Sequence, residues 1–265
     1  MPDNAAGYLA KVDDIYINDA YHSLSIEGYS VTEALIEQVR QGSFDPLENP
    51  AHRQNVDALA ARGYWQAFQA VRASLEKILA GSAGGLVVRE DHDGWYENLF
   101  GPSVTAGILQ AGALAGYRNH PVYLRRSRHT PPRVEAIADG MQALFERLHE
   151  EESAAVRAVL GHWLLGYIHP YPDGNGRMAR FLMNAMLASG GYSWTVINVE
   201  QRAAYMAALE AASVEGSIVP FAELIVRGGW IARRFQLDGV KFQGSRSSMR
   251  FLGCPAAMAS RVALR

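Results

Sequence analysis

Apolar residues recur at helical spacing through most of this chain. Tyr8, Leu9, Val12, Ile15, Tyr16 and Ile26 share a loose three-and-four period that stops at Gly28, the residue type that most easily takes the left-handed conformation closing a helix. The pattern predicts a helix from about residue 6 to Glu27. Ser30-Val31-Thr32-Glu33 has capping-box spacing ahead of Leu35, Ile36 and Val39, which predicts a second, short helix. Gly42 to Pro50 is a loop, and residues 51 to 80 carry Val56, Leu59, Trp65, Phe68, Val71, Leu75 and Ile78 as one long helix before a Gly81-Ser82-Ala83-Gly84-Gly85 connector. The period weakens over residues 87 to 112, with a helix or two around Trp95 to Leu109. Asn119-His120-Pro121, a turn cluster flanked by Tyr117 and by Val122-Tyr123-Leu124, predicts a small hairpin.

Thr130-Pro131-Pro132 predicts the restart of a helix that runs to about Glu150, and residues 152 to 168 repeat Val156, Val159, Leu160, Trp163, Leu164 and Tyr167 as the next. Further helices follow Gly174 and Gln201, and a last one covers about 218 to 236. The sum is an all-α bundle with one β-hairpin: an N-terminal helical segment (1–50), a compact core (51–238) and a tail (239–265). The tail has no acidic residue and keeps Lys241, Arg246, Arg250, Arg261 and Arg265.

Composition narrows the function classes. The 265 residues are 49% hydrophobic and 20% charged, with 25 Lys+Arg against 27 Asp+Glu and a formal net charge of -2. There is no global basic field for coating nucleic acid or an anionic membrane, so neither is an expected partner. The single cysteine, Cys254, and a start without a secretory head lead to the expectation of a soluble protein of the reducing cytoplasm.

One stretch carries chemistry: His169-Pro170-Tyr171-Pro172-Asp173-Gly174-Asn175-Gly176-Arg177-Met178-Ala179-Arg180. The prolines end one helix, and the glycines permit a tight turn whose backbone N–H groups converge on an anion at the start of the next. Met178, Phe181, Leu182, Ala185 and Met186 define a buried face of that helix, with Arg177, Arg180 and Asn184 on another. A histidine suited to proton abstraction, an aspartate suited to Mg²⁺ and two arginines suit transfer of a phosphorus-containing group. Taken singly, the same residues also read as a helix cap and surface pairs.

Residues 169–180 resemble the central motif of the Fic domain family, His-Pro-Phe-x-(Asp/Glu)-Gly-Asn-Gly-Arg-x-x-Arg, with Tyr171 in place of phenylalanine. In the family that aromatic packs beneath the active-site loop, so the Tyr171 hydroxyl needs a partner. Gly116-Tyr117-Arg118 with Val122-Tyr123-Leu124 resembles the family's target-holding hairpin flap, and Arg202 to Leu209 with Gly216 and Phe221 resembles its nucleotide-side helices. The resemblance implies a Fic-type bundle with 51–238 as catalytic core. It also implies transfer of AMP from ATP to Ser, Thr or Tyr hydroxyls of a target protein and of the chain itself. On that likeness His169 is the base, Asp173 holds Mg²⁺, Gly174, Asn175, Gly176 and Arg177 bind phosphates, and Arg180 meets the γ-phosphate. Tyr205, Leu209 and Ser213 are candidates for the adenine pocket by position.

Ser23-Leu24-Ser25-Ile26-Glu27-Gly28 resembles the family's inhibitory motif, in the class that carries it on an N-terminal helix. The implication is that Glu27 pairs with Arg180 where the γ-phosphate would go. Relatives are often dimers, so a homodimer is a further expectation. Gly176 stands where the kinase-like Doc branch has lysine. Transfer of another nucleotide, removal of AMP, and nucleotide binding without catalysis are the alternatives inside this reading. Outside it stands a metal-dependent hydrolase using His162, His169 and Asp173 or the Glu90-Asp91-His92-Asp93 cluster, neither of which has zinc-site spacing.

Overall fold

The computed structural model describes residues 4–43, 45, 48 and 55–227; the tail and the end of the last predicted helix lie outside them. Helix α1 (Ala5–Glu27) begins where the Asn4 side chain accepts from the Gly7 amide, and it ends at Gly28 with φ of 96°. Helix α2 (Glu33–Arg40) is capped by Thr32, whose Oγ1 takes the Leu35 N–H at 3.2 Å, so the cap falls two residues beyond Ser30. The Ser30 amide is instead bound by Asp57 at 3.0 Å, which ties this turn to helix α3 (Val56–Leu79).

Helix α4 (Gly84–Thr105) is one continuous element of 22 residues where the sequence pattern is weak. Gly84 and Gly85 belong to its first turn rather than to a connector. A Cβ at Gly85 would stand 2.8 Å from the Leu148 carbonyl, so glycine here serves close helix packing. Helix α5 (Ile137–Glu150) starts later than Thr130-Pro131-Pro132 suggests, after a 3₁₀ turn at Val134–Ala136. The diproline is a strut whose Pro132 carbonyl accepts from Arg118 Nη2 at 2.6 Å. Helices α6 (Ala154–Ile168), α7 (Asn175–Ser189), α8 (Arg202–Val214) and α9 (Val219–Arg227) follow.

One apolar cluster runs through these helices from Tyr8 to Ile225. Helix α1 adds Tyr16 to it, edge-on to Trp65 at 4.7 Å and to Phe68 at 4.9 Å. Helix α7 lies at the centre: apart from Gly176, every residue from Asn175 to Ala188 is buried. The expected division into a buried face and a separate Arg177, Arg180, Asn184 face is therefore corrected, because α1, α3, α4 and α6 pack around α7, and inside that packing Arg180 finds Ser23 and Glu27 of α1 while Asn184 pairs with the Thr195 backbone.

The described residues contain no β-strand, and residues 117–124 form an irregular loop instead of the expected hairpin. The polar groups at its start are already committed. The Arg118 amide donates to the Pro170 carbonyl at 2.8 Å, and its buried guanidinium binds the carbonyls of His169, His120 and Pro132. With Pro121 lacking an N–H, no ladder to a second strand forms. Among the described residues no helix is long and apolar enough to cross a membrane.

Candidate active site

Helix α6 ends on His169, whose φ of 52° and ψ of 58° place a non-glycine residue in the left-handed region. Such a conformation costs roughly 1–3 kcal/mol and persists because neighbours fix it. Here Arg118 Nε holds the His169 carbonyl at 2.8 Å. The ring Nδ1 lies 3.4 Å from the Gly166 carbonyl, a pairing that favours the tautomer leaving the Nε2 lone pair free. Burial first, then the charges of Arg118 and His129, lower the His169 pKa, so the ring is a neutral base at pH 7.

The turn between α6 and α7 is locked from within. Asp173 Oδ1 takes the Gly174 amide at 2.6 Å, while Asn175 accepts from the Tyr171 amide at 3.0 Å and donates to the Tyr171 carbonyl at 2.8 Å. Gly174 has φ of 78°, and a Cβ there would meet Phe100 at 2.7 Å, so only glycine fits. The Asn175 side chain thus holds the loop, and the backbone N–H groups of the first turn of α7 face outward without intrahelical partners. Tyr171 is fully buried, stacked on Tyr96 at 3.9 Å and edge-on to Tyr117 at 5.7 Å. Its hydroxyl lacks the hydrogen-bond partner that the sequence calls for; burial and then the Asp93 carboxylate keep it protonated.

Two arginines are buried beneath this turn. Arg177 is 1% exposed and stands between the rings of Tyr29 at 5.1 Å and Phe100 at 4.9 Å, with Nη2 at 3.4 Å from Asp173 Oδ2. Arg180 donates from Nε to Ser23 Oγ at 2.8 Å, and from Nη2 to the Ser23 carbonyl at 3.0 Å and to Glu27 Oε1 at 2.7 Å. Arg177 Nε and Arg180 Nη1 are buried without a partner. Burial would raise the Glu27 pKa, but Arg180, Arg177 and Arg202 prevail and hold it below the usual carboxylate range. The same pair keeps Arg180 charged against burial. Glu27 reaches so far over α7 that a Cβ on Gly176 would run into its Oε1.

A cavity of about 540 Å³ opens beside these groups. His169, Asn175, Gly176 and Glu27 line one part of it, while Tyr205, Leu209 and Ser213 of α8 line another, and Tyr123 and Leu124 come from the loop. The structure therefore brings His169, the first turn of α7, Glu27 and the three adenine candidates to one space. Ser23, Arg177, Arg180 and Asp173 stand outside that lining, around the first turns of α7. Of the flap residues, Tyr123 is 81% exposed, Val122 and Leu124 are half-buried, and Tyr117 and Arg118 face inward, Tyr117 with its hydroxyl 3.1 Å from His92 Nε2. The Tyr205 hydroxyl lies within hydrogen-bond distance of His162 Nε2 at 2.8 Å, and Ser213 accepts from Trp163 Nε1 at 3.1 Å.

Sequence reasoning missed Tyr29 and Phe100 around Arg177, Arg202 holding the Ile26 carbonyl at 2.7 Å, and Glu210 holding the loop at Ser127 and Arg128. None of these contacts has a local sequence signal, since each joins elements distant in the chain. The Glu90–Asp93 cluster is divided: Asp91 binds Ser74 and Lys77, and His92 points inward. Among the described residues no group of three or more His, Cys, Asp or Glu could cage a metal.

The family model for the Fic/DOC family matches residues 92–187. These residues form a Fic/DOC-family domain. The protein adenylyltransferase Fic of Drosophila grimshawi is 30% identical over 228 residues, which are 84% of this chain and 43% of that protein. The Drosophila virilis protein of the same name is 29% identical over 218 residues, 80% of this chain and 41% of that one. The chain thus spans less than half the length of these curated relatives. Among solved structures, Fic-1 from C. elegans superposes with a TM-score of 0.65 at 20% identity, covering 84% of this chain and 69% of that one. A Fic domain-containing signalling protein from Bacteroides thetaiotaomicron gives 0.62 at 18% identity, with 85% of each chain covered. The all-helical architecture of the described residues is therefore the Fic fold.

Proposed function

We propose that this Fic protein is a protein adenylyltransferase that moves AMP from ATP to a hydroxyl of a target protein, and that Glu27 holds it silent. The observation that carries this reading is a neutral His169 and an open helix N-terminus lining one cavity, with a carboxylate locked onto the buried arginine behind them. His169 Nε2 takes the proton as the target oxygen bonds to the α-phosphorus, and the bond to pyrophosphate breaks. The N–H groups of α7 and Arg177 face the charge that develops on the phosphates. The unpartnered Arg177 Nε and Arg180 Nη1 are buried cationic donors that an anion would satisfy.

The donor set fits Mg²⁺. Asp173 is a lone carboxylate, its side chain 66% exposed, and this cation characteristically combines one or two carboxylates with substrate phosphates. When bound, Mg²⁺ would neutralise phosphate charge. Adenine is assigned to the α8 part of the cavity, by Tyr205, Leu209 and Ser213. Residues 121–124 have no strand partner and expose Tyr123, which suits main-chain pairing with a target segment.

The test is intact-protein mass spectrometry after incubation with ATP and Mg²⁺. An adenylyl adduct is expected on Glu27→Gly, with none on wild type and none on Glu27→Gly/His169→Ala. An adduct on the His169→Ala double variant would remove the base from the mechanism. An adduct formed only from another nucleoside triphosphate would reassign the substrate.

A further inference from the structure

From Gly116 to Arg133 the chain carries Arg118, Arg125, Arg126, Arg128 and Arg133 with His120 and His129 and no acidic residue, in a protein of formal net charge -2. The structure separates these cations by role. Arg118 is buried and holds three backbone carbonyls. Arg128 is tied to Glu210 and Glu215 at 3.4 and 3.2 Å. Arg125 and Arg126 are exposed, line the cavity that His169 also lines, and make no hydrogen bond or ion pair among the described residues. The carboxylates of the same lining are Glu27 and Glu210, and both are already engaged, by Arg180 and by Ser127 with Arg128. Nothing described here neutralises the arginine pair.

The pair is also held in place. On one side Arg118 fastens the loop to the α6–α7 turn. On the other, Glu210 takes the Ser127 hydroxyl at 2.5 Å and the Arg128 amide at 2.9 Å, and His129 Nε2 meets the Tyr167 carbonyl at 2.8 Å. Burial being slight at Glu210, the Ser127 hydroxyl, then the Arg128 amide, keep it ionised as an anchor. Arg126 sits at φ of 64°, a left-handed geometry that a loose loop would relax. Two guanidinium groups are therefore presented from a fixed backbone at the cavity mouth, directly after the exposed Tyr123 and Leu124.

We propose that Arg125 and Arg126 select the target: the modified hydroxyl lies in a protein segment with aspartate or glutamate close by, and these carboxylates pair with the two guanidinium groups. The inference rests on the transferase reading and names the substrate class it acts on. A triphosphate is the competing anion for the same charges. It has its own unsatisfied donors at the start of α7, in Arg177 and in Arg180, so the flap pair is left for the polypeptide. Planar guanidinium groups match carboxylates in a two-bond geometry that lysines at these positions would not give.

The test is binding first and transfer second. Short fluorescent peptides that carry one serine and one tyrosine, flanked by glutamates, by glutamines or by lysines, are titrated with wild type at low salt. The glutamate peptide is expected to bind about tenfold more tightly than the glutamine one, an advantage that shrinks toward 0.5 M salt. Arg125→Gln/Arg126→Gln removes that advantage while binding of a non-hydrolysable ATP analogue stays unchanged, which also reports folding. Arg125→Glu/Arg126→Glu reverses the preference toward the lysine peptide. In the Glu27→Gly background the same substitutions raise KM for the acidic peptide and leave kcat and KM for ATP alone.

Equal binding of glutamate and glutamine peptides overturns the proposal. So does a loss of nucleotide binding in place of peptide binding, or tighter arginine-dependent binding of a single-stranded oligonucleotide. If Glu27→Gly transfers AMP to nothing while wild type still selects the acidic peptide through the two arginines, the transferase reading fails and the acidic-partner surface stands.

Discussion

Arg180 offers three nitrogens to its surroundings and the fold satisfies two. Nε and Nη2 are held by Ser23 and Glu27, and Nη1 is buried without a partner, the donor that a phosphate would meet under the proposed function once it displaced the Glu27 carboxylate. Glu27 supplies the charge, while Ser23 sets the direction in which the guanidinium points. Ser23→Ala removes one hydrogen bond to a charged group, worth about 1.5–3 kcal/mol, from the silent arrangement only. Basal self-modification should rise by about ten- to hundredfold and remain below that of Glu27→Gly, as read by the rate of adenylyl incorporation. A Ser23→Ala protein as silent as wild type, beside an active Glu27→Gly, would reduce Ser23 to packing.

At the scale of elements, the site depends on how closely helices approach beneath it. Helix α4 delivers Phe100 against Gly174 and Arg177, and it lies on α3 where Gly63 leaves no room: a Cβ there would run into the Leu99 carbonyl. Because backbone cannot turn aside, Gly63→Ala should cost about 1–3 kcal/mol, seen as a lower denaturation midpoint at unchanged m-value. Gly94, on the same helix α4, has open space around its Cβ position. Gly94→Ala should therefore stabilise by about 0.5–1 kcal/mol in the same assay.

The contrast also marks where the sequence is readable. Helices α1 and α7 announce themselves because their signals are local: Gly28 at one end, the Asp173-Gly174 turn at the other, and an apolar period between. Helix α4 hides because Gly84 and Gly85 look like a linker until Leu148 is placed against them. The loop looks like a hairpin because nothing in residues 117–124 shows that Arg118 turns inward to hold the α6–α7 turn. The motif from His169 to Arg180 is legible since its parts lie within one turn and one helix. The burial of Arg177 between Tyr29 and Phe100, and the contact of Arg180 with a residue 153 positions away, belong to tertiary packing alone.

Across the whole molecule these burials set how stability responds to acid. His92, His129, His162 and His169 are all held neutral, first of all by burial, and His162 is pushed down to about 3. Below the ordinary histidine value of 6.5 the unfolded chain takes up protons that the folded chain refuses, so each of them lowers stability as pH falls. Asp19 runs the other way. It is buried with Tyr64 donating to it at 2.7 Å, and burial raises its pKa from 3.8 to about 6. Between those values the folded chain binds a proton the unfolded chain does not, so Asp19 adds stability as pH falls from 6 toward 4. A fully displaced proton is worth on the order of 1.4 kcal/mol per pH unit, so Asp19 offsets about one of the four histidines over that window. Glu27, held below its ordinary value, adds to the acid loss only once pH falls through the carboxylate range. Because one apolar cluster joins the described helices, the loss should appear as cooperative unfolding rather than as local fraying. Urea titrations should show stability falling from pH 7 to pH 5, and Asp19→Asn, which keeps an acceptor for Tyr64 but no titrating proton, should steepen the slope between pH 6 and 4 by about one proton. An unchanged slope would mean that Asp19 stays ionised in the folded protein, held by the positive charge of Arg180 more strongly than burial opposes it.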